Sequence, residues 1–347
     1  MHPTDDTPPL PDPSEDAVPP AIDSGWTNVN RLAVLLFAAT CASTFLSGTM
    51  MGKPRPEVTF EELMWDGFCY AGPVMLILLC HEMGHFLTAR FHGVPASPPF
   101  FLPMPILSPL GTLGALIVQP RGFGDRRTMF DIAIAGPLAG LVIALPVAWF
   151  GVQQAELMEY TPEHGSVTFG DPLLLKGMVW LKFGDLPPLH DVLLNPLLFA
   201  GWAGIFLTGF NLVPIGQLDG GHIVYGLVGQ QAHRVSLAFL LAGVAYMAYF
   251  NHWNYILMVV LMLFVGIKHP PATDDQRPLG WGRILLGWAT MSLFFVCFSP
   301  FPITINAPES DEKSIDSPTQ EPAWSDNVIV DQSAESPVVV QPSNDSR

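Results

Sequence analysis

The sequence predicts an all-α polytopic membrane protein, with about six or seven transmembrane helices, a proline-rich re-entrant loop and a short β-strand. Three observations predict it. The 347 residues are 49% hydrophobic but only 13% charged, about half the ~25% of soluble domains. The apolar residues fall in runs approaching the ~20 residues that cross a bilayer. The charge is also confined: residues 1–30 hold six acids and no Lys or Arg, and residues 303–347 hold nine acids against Lys313 and Arg347. These two tails account for most of the net charge of −16, and their Pro, Ser, Asp and Glu content reads as disordered. The expected organisation is therefore a disordered tail over 1–30, one membrane domain over 31–302 and a second disordered tail over 303–347. The first tail lacks the positive n-region of a cleavable signal peptide. The pI near 4.8 describes the tails, and no basic patch invites nucleic acid.

Spans are expected near 32–50, 68–90, 129–151, 196–213, 235–250, 253–268 and 283–299. The fifth and sixth are short and need tilt or local thinning. Between the first two lies an acidic loop at 51–66, and a longer loop covers 152–195, with apolar stretches suited to a surface. Residues 94–120 are apolar yet carry Pro95, Pro98, Pro99, Pro103, Pro105 and Pro109, which no continuous helix survives. Irregular backbone at membrane depth is tolerated only under cover of protein or a watery cavity. A re-entrant loop followed by a strand near Gly111–Gln119 is the economical reading; the alternative is a loop on the surface.

The basic residues give an orientation. With a cytoplasmic N-terminus and alternating spans, Arg31, Arg90, Arg121, Arg126, Arg127, Arg234, Lys268, Arg277 and Arg283 face the cytoplasm. Lys53, Arg55, Lys176 and Lys182 face the other side, so the positive-inside tendency is satisfied.

Within the second span stands His81-Glu82-Met83-Gly84-His85. Residues i and i+4 share a helix face, so both imidazoles can converge on one ion. Glu82 is placed to reach a water at that ion rather than the ion itself. Such residues are expensive in an apolar span unless they are used. A catalytic zinc site takes three protein ligands, and the candidate for the third is Asp219, in Asn211-Leu-Val-Pro214-Ile-Gly-Gln-Leu-Asp219-Gly220-Gly221-His222. Its glycines allow close approach. His222 suits either a partner for a ligand or simple packing. His92, His164, His190, His233, His252 and His269 sit in loops or at span ends and are expected to be non-functional. The four cysteines have no paired spacing, which excludes a disulfide framework.

With both motifs in view, residues 31–302 resemble the site-2 protease family of intramembrane zinc metalloproteases. The resemblance is to its branch without a PDZ domain, which includes the chloroplast ethylene-dependent gravitropism-deficient and yellow-green proteins and bacterial relatives. His81-Glu82-x-x-His85 matches the first family motif, and Asn211-x-x-Pro214-x-x-x-Leu218-Asp219-Gly220 the second. Ala135-Gly-Pro-Leu-Ala-Gly140 and Gly111-x-x-Gly114 also look familial. The resemblance implies one Zn2+ per chain held by His81, His85 and Asp219, Glu82 as general base, and Asn211 bonding substrate or the developing oxyanion. It implies cleavage of peptide bonds in or near the transmembrane segments of membrane proteins, such as membrane-tethered regulators, anti-sigma factors or remnant signal peptides. The strand near Gly111–Gln119 would receive an unwound substrate by β-addition. The expected location is a bacterial inner membrane, with the site toward the cytoplasm. The competing readings are a catalytically inactive client-binding relative and a membrane zinc transporter; a soluble-type metalloprotease is disfavoured by the context of Asp219.

Overall fold

The computed structural model describes residues 25–50, 59–119, 124–159, 166–188, 190–250, 259–260, 274, 278–299 and 303–306. Helix α1 (Gly25–Met50) starts ahead of the expected span. Helix α2 (Phe60–Phe91) starts well before residue 68, because Thr59 and Glu62 form a reciprocal capping box: Thr59 Oγ1 accepts from the Glu62 amide at 3.3 Å while Glu62 Oε2 accepts from the Thr59 amide at 3.0 Å. Two orphan donors are satisfied at that end, and Glu61, Glu62 and Arg90 complement the helix dipole at either end. The acidic loop is thus shorter than expected.

From the end of α2 the chain turns back. The Val94 amide donates to Ala89 O at 2.9 Å, and the Ser97 amide to Val118 O at 2.9 Å. Two strands follow, β1 (Phe100–Pro103) and β2 (Thr112–Leu116), where one was expected. They pair antiparallel, Phe100 with Leu116 and Phe101 with Ala115, with an irregularity before Pro103. Proline hid β1 from the sequence, and an irregular two-stranded ribbon tolerates it. At the tip, Tyr70 Oη donates to Leu110 O at 2.9 Å and Ser43 Oγ to Gly111 O at 2.6 Å. Gly111 has φ 72, and a Cβ there would press on Ser43 and Ser47 of α1. From Ala89 to Tyr70 the hairpin runs back along α2 for about 28 Å at ~1.5 Å per residue.

Helix α3 (Arg126–Gln154) is capped by Asp125, whose side chain accepts from the Thr128 amide. It crosses α2 closely, since a Cβ on Gly84 would lie 2.6 Å from Ala135 O. At its other end it meets α5 (Pro196–Asn211); a Cβ on Gly201 would overlap Ala148, and one on Gly151 would overlap Leu198. Small residues let backbones approach where lipid offers no hydrophobic drive. A ladder of rings, Tyr70–Phe199–Trp202–Phe206, with centroids 5.2, 5.5 and 5.3 Å apart, fills the main core between α2 and α5.

The 152–195 connection holds more structure than expected: β3 (Leu157–Glu159), β4 (Ser166–Phe169), α4 (Leu173–Phe183) and β5 (His190–Val192). Lys182 of α4 donates to Val152 O, Gln153 O and Ala155 O at 2.7–3.0 Å, closing the C-terminus of α3. Beyond α5, the chain forms α6 (Asp219–Val228), a 3-10 turn at Gly229–Gln231, α7 (Ala232–Phe250) and α8 (Trp281–Cys297). Strand β6 (Ile303–Asn306) pairs with β4, and β3 with β5, so regular structure extends just past residue 302. The expected span 253–268 lies outside the described residues apart from 259 and 260; so do most of both tails.

Among the described residues, four stretches are long and apolar enough to cross a membrane: Val29–Met50, Phe60–Phe91, Arg126–Gln154 and Asp219–Phe250. The last is not one straight rod. Gly229 turns it with φ 62, and Ser236 of α7 returns to donate to Pro214 O at 2.8 Å, upstream of α6. Helices α5 and α8, at 16 and 17 residues, are shorter apolar helices.

Candidate metal centre

His81 and His85 lie one turn apart on α2, 5% and 7% exposed. His85 Nδ1 stands 2.8 Å from Ile132 O on α3. A carbonyl only accepts, so Nδ1 carries the proton and Nε2 presents a lone pair, the orientation a metal-ligating imidazole needs. That lone pair points at His81 Nε2, 3.2 Å away. Asp219 Oδ2 completes a triangle, 3.2 Å from His81 Nε2 and 3.3 Å from His85 Nε2. For ligands ~2.0–2.1 Å from a tetrahedral ion, the distance between two ligands is ~3.3–3.4 Å. The three atoms have that spacing and leave one corner open. Three acceptors converging in a buried site repel one another unless a cation lies between them, and two nitrogens with one carboxylate oxygen suit zinc. The residues fit the ion.

Glu82, 3% exposed, lies beside the triangle and gives no atom to it. The Asn211 amide nitrogen lies 3.3 Å from His81 Nε2, so the last residue of α5 reaches the rim of the triangle. Asp219 is the first residue of α6 and gets there because the motif's glycines let the backbone of that turn pack closely. A Cβ on Gly220 would overlap Leu212 O, one on Gly221 would overlap Gly216 O, and Gly216 itself has φ 52. His222 turns its ring to the Gln217 backbone and stays out of the triangle, as does Cys80. His190 bonds Pro188 O at 3.0 Å. His164, His252 and His269 lie outside the described residues.

Several contacts escaped the sequence reading. A Cβ on Gly136 would overlap His85 Nε2, and one on Gly140 would lie 3.2 Å from His81 Nδ1, so the Ala135–Gly140 segment clears the space in which the histidines converge. The segment's repeated small residues and its familial look marked it, but not its contact with the histidines. His92, expected to be idle, bonds Asp131 Oδ2 at 3.2 Å, while Arg283 of α8 holds the same carboxylate through two bonds of 2.7 and 2.8 Å. Arg126 reaches across to α6, donating to Gly226 O at 2.8 Å and Leu227 O at 3.0 Å.

Long apolar helices around a buried His–His–Asp triangle, with a glutamate beside it, define an integral membrane protein built like a metallohydrolase. The peptidase family M50 model matches residues 70–250, more than half of the chain and both motifs; the chain belongs to that family. It is 38% identical over 168 residues to the probable zinc metalloprotease EGY1, chloroplastic, of Oryza sativa subsp. japonica, covering 46% of this chain and 28% of that protein. The similarity to the probable zinc metalloprotease EGY2, chloroplastic, of Arabidopsis thaliana is 26% over 257 residues, 72% of this chain and 44% of the other. With the probable zinc metalloprotease EGY3, chloroplastic, of Oryza sativa subsp. indica it is 29% over 296 residues, 78% and 48%. The chain thus spans between about a quarter and a half of these relatives.

Proposed function

We propose that this chain is an intramembrane zinc metalloprotease that hydrolyses peptide bonds within or near the transmembrane segments of other membrane proteins. The observation that carries this reading is the triangle of His81 Nε2, His85 Nε2 and Asp219 Oδ2 at 3.2–3.3 Å, with Glu82 buried beside it. In this reading those three residues hold one Zn2+, and the family resemblance and the names of the relatives support the choice of ion. Bound there, zinc supplies a Lewis acid that activates water near neutral pH and polarises the scissile carbonyl. Glu82 accepts the proton of the attacking water and returns it to the leaving nitrogen. The Asn211 amide, already at the rim, donates to the developing oxyanion.

A transmembrane helix hides its carbonyls in its own hydrogen bonds, so the substrate must be held extended. In our reading β1 and β2 form the proline-rich re-entrant loop at membrane depth, and the free edge of β2 takes the substrate by strand addition. Support comes from the hairpin's course back along α2, past the level of His81. The full chain then has six or seven spans, lies in a bacterial inner membrane and opens its metal centre toward the cytoplasm, in accord with the split of basic residues. The substrate class is membrane proteins carrying a transmembrane segment.

Purified protein in lipid vesicles with a membrane-spanning reporter tests the assignment. Glu82→Gln is expected to retain about one zinc per chain and to lose cleavage by ~10²–10⁴-fold; wild-type-like cleavage would refute the general-base role. Replacing Thr112–Leu116 with a Gly-Ser linker should abolish cleavage with zinc content unchanged. Unaltered cleavage would remove β2 from the account.

A further inference from the structure

We infer that Arg126 is a positioning residue for the metal centre: it locks the short helix that delivers Asp219 onto the helix that orients His85. The inference rests on the metal-centre reading above and extends it to a residue outside both motifs. Helix α6 has ten residues, with Asp219 at its first position. Its N-cap, Leu218, makes no side-chain capping bond, and its first turn is seated by close backbone contact with 212–216 and by the bond of His222 to the Gln217 backbone. A second hold is at the far end. Gly229 adopts φ 62 and its amide donates to Tyr225 O. The next two carbonyls, Gly226 O and Leu227 O, accept from Arg126 Nε and one terminal nitrogen at 2.8 and 3.0 Å. A guanidinium also complements the negative end of the helix dipole. Directly beneath, the fully buried Phe130 of α3 presses on Gly226, where a Cβ would lie 2.7 Å from its ring.

Arg126 is the first residue of α3. The same helix supplies the Ile132 carbonyl that fixes His85 and the Gly136 gap that His85 Nε2 occupies. One rigid element therefore sets the rotation of a histidine ligand at one place and the axial position of the aspartate ligand at another. A ten-residue helix is ~15 Å long, and its first turn lies against the 212–216 backbone through Gly220 and Gly221. Sliding or tilting about that contact is opposed at the far end by the Arg126 fork. Releasing that end displaces Asp219 from the triangle while leaving its chemistry intact.

Lys182 provides the control. It closes the C-terminus of α3 with three bonds to Val152 O, Gln153 O and Ala155 O, at the opposite end of that helix from Arg126. Zinc affinity by chelator competition, the visible spectrum of the Co2+-substituted protein and the thermal unfolding midpoint should be measured for wild type, Arg126→Gln, Arg126→Lys and Lys182→Gln. Removing the Arg126 fork should weaken zinc binding by about tenfold or more, the scale of a lost ligand-orienting partner, and alter the Co2+ bands, which report ligand geometry. Arg126→Lys, which keeps the charge without the fork, should fall between Arg126→Gln and wild type. Lys182→Gln should shift the midpoint without moving affinity or bands. Equal zinc affinity and an unchanged Co2+ spectrum in Arg126→Gln would overturn the inference alone. Wild-type protein that binds no metal would overturn it together with the metal-centre reading.

Discussion

The two halves of the metal centre are built in opposite ways. His81 and His85 sit within a 32-residue helix with a capping box at its start, packed against α1, α3 and α5. Asp219 begins a ten-residue helix whose N-cap makes no side-chain bond and whose place is set by glycines and a distant arginine. The first half is placed by local sequence, since helical periodicity puts both imidazoles on one face, and α3 then orients the His85 ring. The second is fixed only by tertiary contact. A site divided in this way can present two ligands rigidly while the third depends on how α6 is seated, so substitutions near Asp219 should affect metal affinity more than substitutions of similar size near the start of α2.

The largest effect should come from the ligands. His85→Ala and Asp219→Ala are each expected to reduce zinc from about one per chain to near zero and to remove reporter cleavage. Elemental analysis of purified protein checks this, and retention of stoichiometric zinc by either variant would take that residue out of the ligand set. Gly136→Ala should come next. Its methyl group overlaps His85 Nε2, so zinc binding should weaken by about tenfold or more, although neither histidine is altered. The smallest effect belongs to Gly177→Ala, within α4, far from the histidines and with open space around it. There the expected change is a stabilisation of about 0.4–1 kcal/mol, read as a higher unfolding midpoint with zinc affinity unchanged. A Gly136→Ala protein that binds zinc as wild type does would show that the small-residue segment serves helix packing only.

Features encoded within a few residues were legible in the sequence. The apolar runs foretold α1, α2, α3, α5, α7 and α8, and His81, Glu82 and His85 follow from helical spacing. Asp219 was found because an acid flanked by glycines at the end of an apolar run is conspicuous. Features encoded by distant contact were not. Gly136 meets a histidine on another helix, and Arg126 meets carbonyls about a hundred positions away; nothing beside either residue announces its partner. Strand β1 was concealed by prolines that usually signal the absence of a strand. The polar run Gly229-Gln-Gln-Ala-His-Arg234 marked a break before α7, but nothing beside it told that Ser236 would return to Pro214 O. The apolar content of 152–195 hinted at α4, but not that Lys182 would close α3.

The most direct test of the central claim is zinc K-edge X-ray absorption on the purified wild-type protein. The account predicts about four nitrogen and oxygen neighbours at ~2.0–2.1 Å, with the outer-shell scattering of two imidazoles. Sulfur at ~2.3 Å, or scattering from other than two imidazoles, would contradict a centre built from His81, His85 and Asp219.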